Sequence, residues 1–588
     1  MKKRWLKGLL AVLLISGVGL MGCKNDPEPG SKPRPQFGTD YDVIVVGGGM
    51  SGAAATYAAA KGGAKVLLLE KRRVLGGASG GGSMGATNSI IQQTASPPIV
   101  DTDQSWIEKW KKRDDQLGYI NPAEIRYADM AALKWLVGNS AGSIKYLIDA
   151  GGVISSRPWA MSQDLEERYH NLNVNGRNVA GAGIARFFAE KAEEFSAEVY
   201  LNTRVLRLLQ EGGPGSRITG VELDDGTVIN AKAVILAAGG FRSDINAWID
   251  SPEPIRYSVQ NGADGTNTGW EGEGILMAEA AGGELWDDPW VIGIGTQFAA
   301  TIERGDEGLW VDAKTGNRVG FEGAMTSVRT GWAMIAQRNG SKLYAIVASN
   351  FFEEQPNPNA PLIPEGWVRA DNTGVTADGL SARTLAAVSA PGAELIYPAG
   401  PIFKANTIAE LAAAAGINAS GLQKAIDTYH NIADAINARN ASYPPITPSN
   451  VLANRNAAYD AGYAGLDPLD ADELSNTNRN TNPLGPGMGF LGSNNTRKTY
   501  MKITTPPFYA VEVLPDVMGT FGGIKTEYET ARVRVAGNLD TFIPGLYAVG
   551  ENANRSLYGR VYLSGSSSIY CITSGRIAGE HAANFVKQ

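Results

Sequence analysis

Three groups of residues have the types and spacing to do chemistry. Gly47, Gly49 and Gly52 form a Gly-x-Gly-x-x-Gly turn, and Glu70 stands roughly 20 residues beyond it. Glycines so placed let the backbone turn tightly and approach a pyrophosphate, which rests on the N-terminus of the helix opened by Met50 and Ser51. Glu70, followed by Lys71, is placed to accept the hydroxyls of a ribose. The second group is Leu75–Met84, whose Gly77, Ala78, Ser79, Gly82 and Ser83 suit a loop passing close under a large planar ligand. A nicotinamide-binding domain has no need of that loop. The third is Ala237-Ala238-Gly239, small residues at the end of an apolar run, where a backbone can come near a cofactor. Metal chemistry has no comparable support. Three histidines and two cysteines are too few for a zinc or di-iron centre, and there is no Cys-x-x-Cys-His haem site.

These residues need elements to hold them. Val43–Val46 predicts a strand before the turn, the Ala-rich stretch after it a helix, and Lys65–Leu69 a second strand ending on Glu70. Trp106–Gly151 is helical by period and reads as packing. A helix over Ile184–Phe195 and a strand over Val199–Leu209, which carries Val205, follow a glycine turn at Gly176. Ile218–Ile229 reads as a hairpin turning at Asp225-Gly226, and Ala231–Gly240 as a buried strand. Gly262–Gly283 gives a glycine loop and then an amphipathic helix, with Glu273 near its start. From about Leu285 the pattern loosens. Phe351–Pro364 reads as a surface loop, Thr407–Ala438 as helix and Ser442–Pro486 as polar loop. Thr541–Glu551 returns to a turn and a short apolar strand ending in Gly550-Glu551, and Ser564–Ala583 predicts a closing helix.

A chain of 588 residues can bury more than one core, and 43% hydrophobic with 19% charged residues is a globular composition. The formal charge of −7 and the lack of a basic tract exclude nucleic acid as a partner. Lys2, Lys3, Arg4 and Lys7 form a basic start, and Gly8–Leu20 is an apolar run too short to span a membrane. Leu20-Met21-Gly22-Cys23 resembles a bacterial lipobox, which implies cleavage after residue 22 and lipidation of Cys23. Cleavage removes four basic residues and no acid, taking the charge from −7 to −11. Residues 23–38 then read as a flexible tether, and the protein is expected outside the cytoplasm, lipid-anchored to the cell envelope and facing the periplasm or exterior. Cys571 reads as a small buried packing residue.

The stretches VVGGGMSGAAAT, LLLEK, LGGASGGG, AVILAAGGF, GEGILMAEAAG, IPGLYAVGE and TSGRIAGE resemble, in this order, the FAD-dependent flavoproteins that include soluble fumarate reductases, urocanate reductase and the 3-ketosteroid dehydrogenases. The resemblance implies an α/β fold: a Rossmann-like, glutathione-reductase-type FAD-binding domain over 39–284 and 501–588, with an α+β cap domain inserted over 285–500. It implies that Gly550 and Glu551 contact the ribityl and pyrophosphate region and that Ser567 and Ser568 lie near the isoalloxazine. The family's covalent flavin histidine has no counterpart near residues 76–85, so FAD is expected to be non-covalent.

The implied chemistry is alkene reduction, with hydride from flavin N5 and a proton from an arginine. Arg329, in a loose version of the family's motif, is the implied acid, and Arg304 its relay. The dicarboxylate clamp of the fumarate reductases departs further. Leu285–Gly293 and Gly519–Gly523 lack its two histidines, and Arg560 or Tyr562 stands where its arginine would be. Trp286, Trp290, Phe521, Tyr558 and Tyr562 point instead to a larger, aromatic or apolar acceptor. The reading is an enzyme reducing an unsaturated acid or enone other than fumarate. Ketosteroid-like dehydrogenation, which would use Tyr562, a flavin oxidase, and a non-catalytic lipid-anchored electron carrier remain as alternatives. With no haem motif or covalent-FMN signature, a separate FMN or haem protein is the expected electron donor.

Overall fold

Strand β1 (Asp40–Val46) runs into helix α1 (Met50–Lys61) and then strand β2 (Val66–Leu69). Val43–Val46 and all of β2 are apolar and buried, as strands covered on both faces must be. The structure is a computed structural model describing residues 38–78, 82–117, 122–159, 167–297, 309–320, 326–348, 375–376, 379–380, 393–395, 402–442 and 502–588. The expected signal segment, Cys23, the tether as far as residue 37, Ser79, Arg304, the loop 351–364 and residues 443–486 lie outside the described residues.

The chain continues through helices α2 (Asp103–Leu117), α3 (Met130–Asp149) and α4 (Gly181–Glu193) to strands β3 (Glu198–Tyr200), β4 (Val205–Gln210), β5 (Ile218–Leu223) and β6 (Val228–Leu236). The single strand expected over Val199–Leu209 is split. Asn202 takes a left-handed φ of 52°, and the Thr203 N–H bonds to the Glu70 carbonyl at 2.9 Å. The break turns Thr203 and Arg204 toward the end of β2.

After β6 come β7 (Ser258–Gln260), α5 (Glu273–Ala280), β8 (Trp290–Gln297), β9 (Leu309–Asp312), α6 (Thr326–Arg338), β10 (Leu343–Ala348), β11 (Ala393–Leu395) and β12 (Ile402–Ala405). The expected helix over 407–438 is two helices, Ile408–Ala415 and Ala419–Ser442, separated at Gly416, whose φ is 68°. The chain closes with β13 (Phe508–Glu512), β14 (Leu514–Phe521), β15 (Arg532–Val535), β16 (Asn538–Ala548) and α7 (Ser566–Phe585).

The main sheet has the order β15-β16-β6-β1-β2-β3, with β5 and β4 continuing antiparallel from β6. Val46 lies level with Leu69 and with Leu236, and Leu236 with Ala548, all in parallel pairs. Four strands therefore end at one edge, and the segments after them open together, where α/β sheets bind ligands. Helices α7 and α4 pack on α1. The close approach of α7 needs Gly575 and Gly579, because a Cβ there would come within 2.3 Å of the Ser51 carbonyl and 2.4 Å of the Ala55 carbonyl. Two further sheets, β8-β14-β7-β11 and β9-β10-β13-β12, carry α6. Strands β13 and β14 thus pair with strands of the expected cap before the chain rejoins the main sheet. Among the described residues no helix is long and apolar enough to cross a membrane.

Candidate functional site

A cleft of about 770 Å³, mouth included, runs along the edge where β2, β1, β6 and β16 end. Its floor is the start of α1. The first bond within that helix is from the Ala53 N–H to the Gly49 carbonyl, 2.9 Å, and no side chain caps it. The N–H groups of Met50, Ser51 and Gly52 are left at the cleft end, a ready anion site. The three glycines of the turn differ in role. A Cβ on Gly47 would meet the Ala237 carbonyl at 2.4 Å, and one on Gly52 the Gly47 carbonyl at 1.9 Å, so both serve packing. A Cβ on Gly49 meets nothing within 4 Å, and one on Gly77 only Gly49 Cα at 3.6 Å. The space those side chains would fill is the cleft, and it fits a pyrophosphate pressed against the backbone.

At one end, Glu70 Oε2 accepts from the Gly48 N–H at 2.6 Å and Oε1 from the Arg72 N–H at 2.8 Å. Burial pushes this carboxyl up, and the two N–H groups draw it back. Each oxygen keeps a lone pair for ribose hydroxyls. Beside it Glu273 pairs with Lys71 and with Arg204, the latter at 2.5 Å. Burial opposes its charge, but the Lys71 hydrogen bond and both cations hold its carboxyl below the usual range. At the other end, Asn552 fixes the end of β6. It accepts from the Ala238 N–H at 2.7 Å and donates to the Gly239 carbonyl at 2.8 Å.

Of the residues expected at the cofactor, Gly47, Gly49, Met50, Ser51, Glu70, Lys71, Gly77, Ala78, Val205, Ala237, Ala238, Gly239, Glu273 and Glu551 line the cleft. Gly52, Gly82, Ser83, Gly550, Ser567 and Ser568 do not. Gly82 packs on the Val179 carbonyl, Ser83 donates to Asn171 at 3.1 Å, and Gly550, with φ of 60°, lies against Ser51. Arg72, Thr203, Arg204, Trp270, Met277 and Cys571 line the cleft unforeseen. Cys571 corrects the packing role expected of it. Its thiol borders the cleft, hydrogen-bonded to Ser567 and Ser51, and burial pushes it up to about 12. The four-residue step from Ser567 along one helix face was the signal that could have placed it.

The residues expected at the acceptor fall in two places. Arg329 is 6% exposed on α6, its guanidinium 5.6 Å from the Trp310 ring. Arg560 is 3% exposed and held by two acids. One N–H donor pairs with Glu124, and another reaches both oxygens of Asp288 at 3.0 and 3.1 Å. Its guanidinium lies 4.5 Å from the Trp290 ring, and Arg555 joins Asp288 at 3.1 Å. Phe521 and Tyr558 stack at 4.1 Å, with Tyr562 6.2 Å from Tyr558 and Trp290 opposite Phe521 across the strands. Trp286 stands apart, under Lys525. The Tyr562 hydroxyl meets the backbone N–H groups of Gly565 and Ser567 at the start of α7. Among the described residues no cluster could hold a metal ion.

A family described as an FAD binding domain matches residues 42–569. The 3-oxosteroid 1-dehydrogenase of Mycobacterium tuberculosis is 27% identical over 436 residues, covering 70% of this chain and 64% of that protein. The urocanate reductase of Eggerthella lenta is 25% identical over 447 residues, 75% of this chain and 59% of the relative. The chain thus spans somewhat under two thirds of the length of these relatives. A 3-ketosteroid-Δ4-(5α)-dehydrogenase from Rhodococcus jostii RHA1, solved with 4-androstene-3,17-dione, superposes with a TM-score of 0.56 at 21% identity over 93% of this chain and 98% of its own. The open space against Gly49 and Gly77, the helix N-terminus beneath it and the ribose acid all fit FAD, and the chain belongs to the FAD binding domain family.

Proposed function

We propose that the protein is an extracytoplasmic FAD-dependent oxidoreductase that reduces the C=C bond of an α,β-unsaturated acid or enone other than fumarate. Bound FAD supplies the hydride chemistry. The protein's own part is to hold the acceptor, exclude water and deliver a proton. Arg329 is the proposed proton donor and Arg304 its relay. Arginine is a weak acid, so this role requires fixed geometry, and the buried setting of Arg329 against Trp310 supplies it. The observation that carries the choice of acceptor is Arg560, whose guanidinium is already claimed by Glu124 and Asp288. With that guanidinium's donors engaged and Phe521 stacked on Tyr558 in place of a histidine, these side chains suit a planar apolar acceptor better than a dicarboxylate. A ketosteroid-like dehydrogenation is the second reading, favoured by Tyr562 on the Gly565 and Ser567 N–H groups. The names of the relatives, a urocanate reductase and a steroid dehydrogenase, accord with these two readings in turn. Non-covalent FAD, lipid attachment through Cys23 at the cell envelope, and a separate FMN or haem donor protein belong to the same proposal.

The experiment is anaerobic. Protein lacking residues 1–23 is reduced with dithionite and offered fumarate, urocanate, cinnamates, crotonate and a 4-en-3-one steroid. Fast reoxidation by one alkene, lost in Arg329→Ala with FAD retained, is the expected result. Reduction of the oxidised protein by a saturated ketosteroid would move the assignment to dehydrogenation. Reoxidation by oxygen alone would make it an oxidase, and no acceptor at all an electron carrier.

A further inference from the structure

The order of strands orients the cofactor. Glu70 ends β2 and the helix N-terminus follows β1, whereas Gly239 and Glu551 follow β6 and β16 on the opposite side. A dinucleotide with a ribose at Glu70 and its pyrophosphate at α1 therefore extends its flavin half toward Glu551.

Glu551 sits in a pit with glycine walls. A Cβ on Gly240 would come within 2.7 Å of its Oε2, and one on Gly519 within 2.6 Å of its Oε1. The carboxylate accepts from the Thr520 N–H at 3.3 Å, from the Thr520 hydroxyl and from the Gly240 N–H. Burial pushes the carboxyl up, and foremost among the groups drawing it back is the charge of Arg242.

Arg242 is 1% exposed. Its guanidinium lies 4.1 Å from the ring of Trp270, a wall of the cleft, and Nη1 donates to the Met518 carbonyl at 2.8 Å. Its Nε and Nη2 find no hydrogen-bond partner among the described residues. Burial lowers this guanidinium to about 10, and Glu551 is the first charge that holds it up, ahead of Asp264 and Asp516 and against Arg72. Arg242 is bonded to Met518 and Glu551 to Thr520, two residues further along β14, so the two opposite charges lie in the same part of the interior without a direct hydrogen bond among the described residues. A buried guanidinium with two idle donors is costly, and the acid that offsets this most is Glu551, on the cofactor cleft.

We propose that Arg242 is a positioning residue for FAD, acting through Glu551 by keeping that acid a charged hydrogen-bond acceptor at the flavin end of the cleft. This rests on FAD as the cofactor and not on the acceptor proposed above, so the measurement is FAD binding to the deflavinated protein and not turnover. Arg242→Met is expected to weaken FAD by about tenfold or more, and Arg242→Lys, which keeps the charge, by much less. In a Glu551→Gln background, Arg242→Met is expected to change the FAD Kd by no more than about twofold, the range of independent sites. Equal losses from Arg242→Met in both backgrounds, or a loss with Arg242→Lys as large as with Arg242→Met, would overturn the proposal. If Arg242→Met alone fails to fold, the double variant decides. Its folding supports the pairing, and its failure while Glu551→Gln folds shows that Arg242 serves the fold and not the cofactor.

Discussion

Replacing Gly49 by alanine separates the binding role of the turn from its structural role. Gly49 has φ −72° and ψ 179°, which alanine adopts without strain, and the added methyl would touch no protein atom within 4 Å. Alanine is a poorer N-cap than glycine but restricts the unfolded chain, two effects that roughly cancel, so the deflavinated protein is expected to keep its stability within about 1 kcal/mol. The methyl would enter the space assigned to the pyrophosphate and hold it off the Met50 and Ser51 N–H groups. Weakening two charge-assisted hydrogen bonds by about 1.5 kcal/mol each costs about 3 kcal/mol, or roughly a hundredfold in Kd. Gly52→Ala is the contrast. Its methyl would lie 1.9 Å from the Gly47 carbonyl, a backbone collision that overpacks the turn at a cost of about 1–3 kcal/mol or more. Flavin fluorescence titration and thermal melts of the two deflavinated variants make the comparison. If Gly49→Ala binds FAD within about threefold of the parent, or melts as early as Gly52→Ala, the cofactor does not lie against Gly49 and the cleft has been misassigned.

Arg560→Met removes one cation from a cluster in which Asp288 keeps Arg555 and Glu124 keeps Arg338, so stability should fall by about 1–2 kcal/mol while the FAD Kd stays unchanged; denaturant unfolding and FAD titration read the two apart. His170 is fully buried, its Nε2 2.6 Å from the Ser89 hydroxyl and its Nδ1–H on the Arg168 carbonyl, and burial lowers it from 6.5 to about 4. Because the folded value lies below the unfolded one, its contribution is complete above pH 6.5 and is lost as the pH falls toward 4, by about 3 kcal/mol in all; melts across that window should steepen relative to His170→Asn, and parallel curves would exclude the residue as the cause. Cys571 should react slowly with iodoacetamide at pH 8 in the deflavinated protein, because its thiol is pushed up to about 12, and not at all once FAD covers it; equal labelling with and without FAD would remove it from the cleft.

The main sheet and the cofactor edge were legible because their evidence is local. A strand, a glycine turn and an acid lie within a single unit from Asp40 to Glu70, and the late Gly550-Glu551 repeats the strand-end pattern. The unforeseen lining residues share a different origin. Thr203 and Arg204 reach the cleft only because Asn202 breaks the predicted strand and ties Thr203 to Glu70, more than a hundred residues earlier in the chain. Trp270 is held by two guanidinium groups from separate, earlier parts of the chain, Arg72 at 3.9 Å and Arg242 at 4.1 Å. Period and propensity carry no information about such meetings.

Arg560 shows where that limit touches function. As a sequence position it reads as a cation available to a substrate carboxylate. In the fold its charge is met by Glu124, on a short turn before α3, and by Asp288, at the mouth of β8. Neither acid sits in a recognisable motif. With Nη1 on Glu124 and Nη2 on Asp288, the guanidinium has its fork turned to protein acids, so a substrate carboxylate would have to displace one of them. On the proposed reading, acceptor choice depends on acids far from the flavin sequence motifs, and Asp288→Asn is the change that should release it. Freeing one side of Arg560 is expected to raise affinity for a substrate carboxylate by about tenfold, the worth of one charge-assisted contact. Fumarate or crotonate that competes no better for the reduced Asp288→Asn protein than for the parent would mean that Arg560 does not face the acceptor at all.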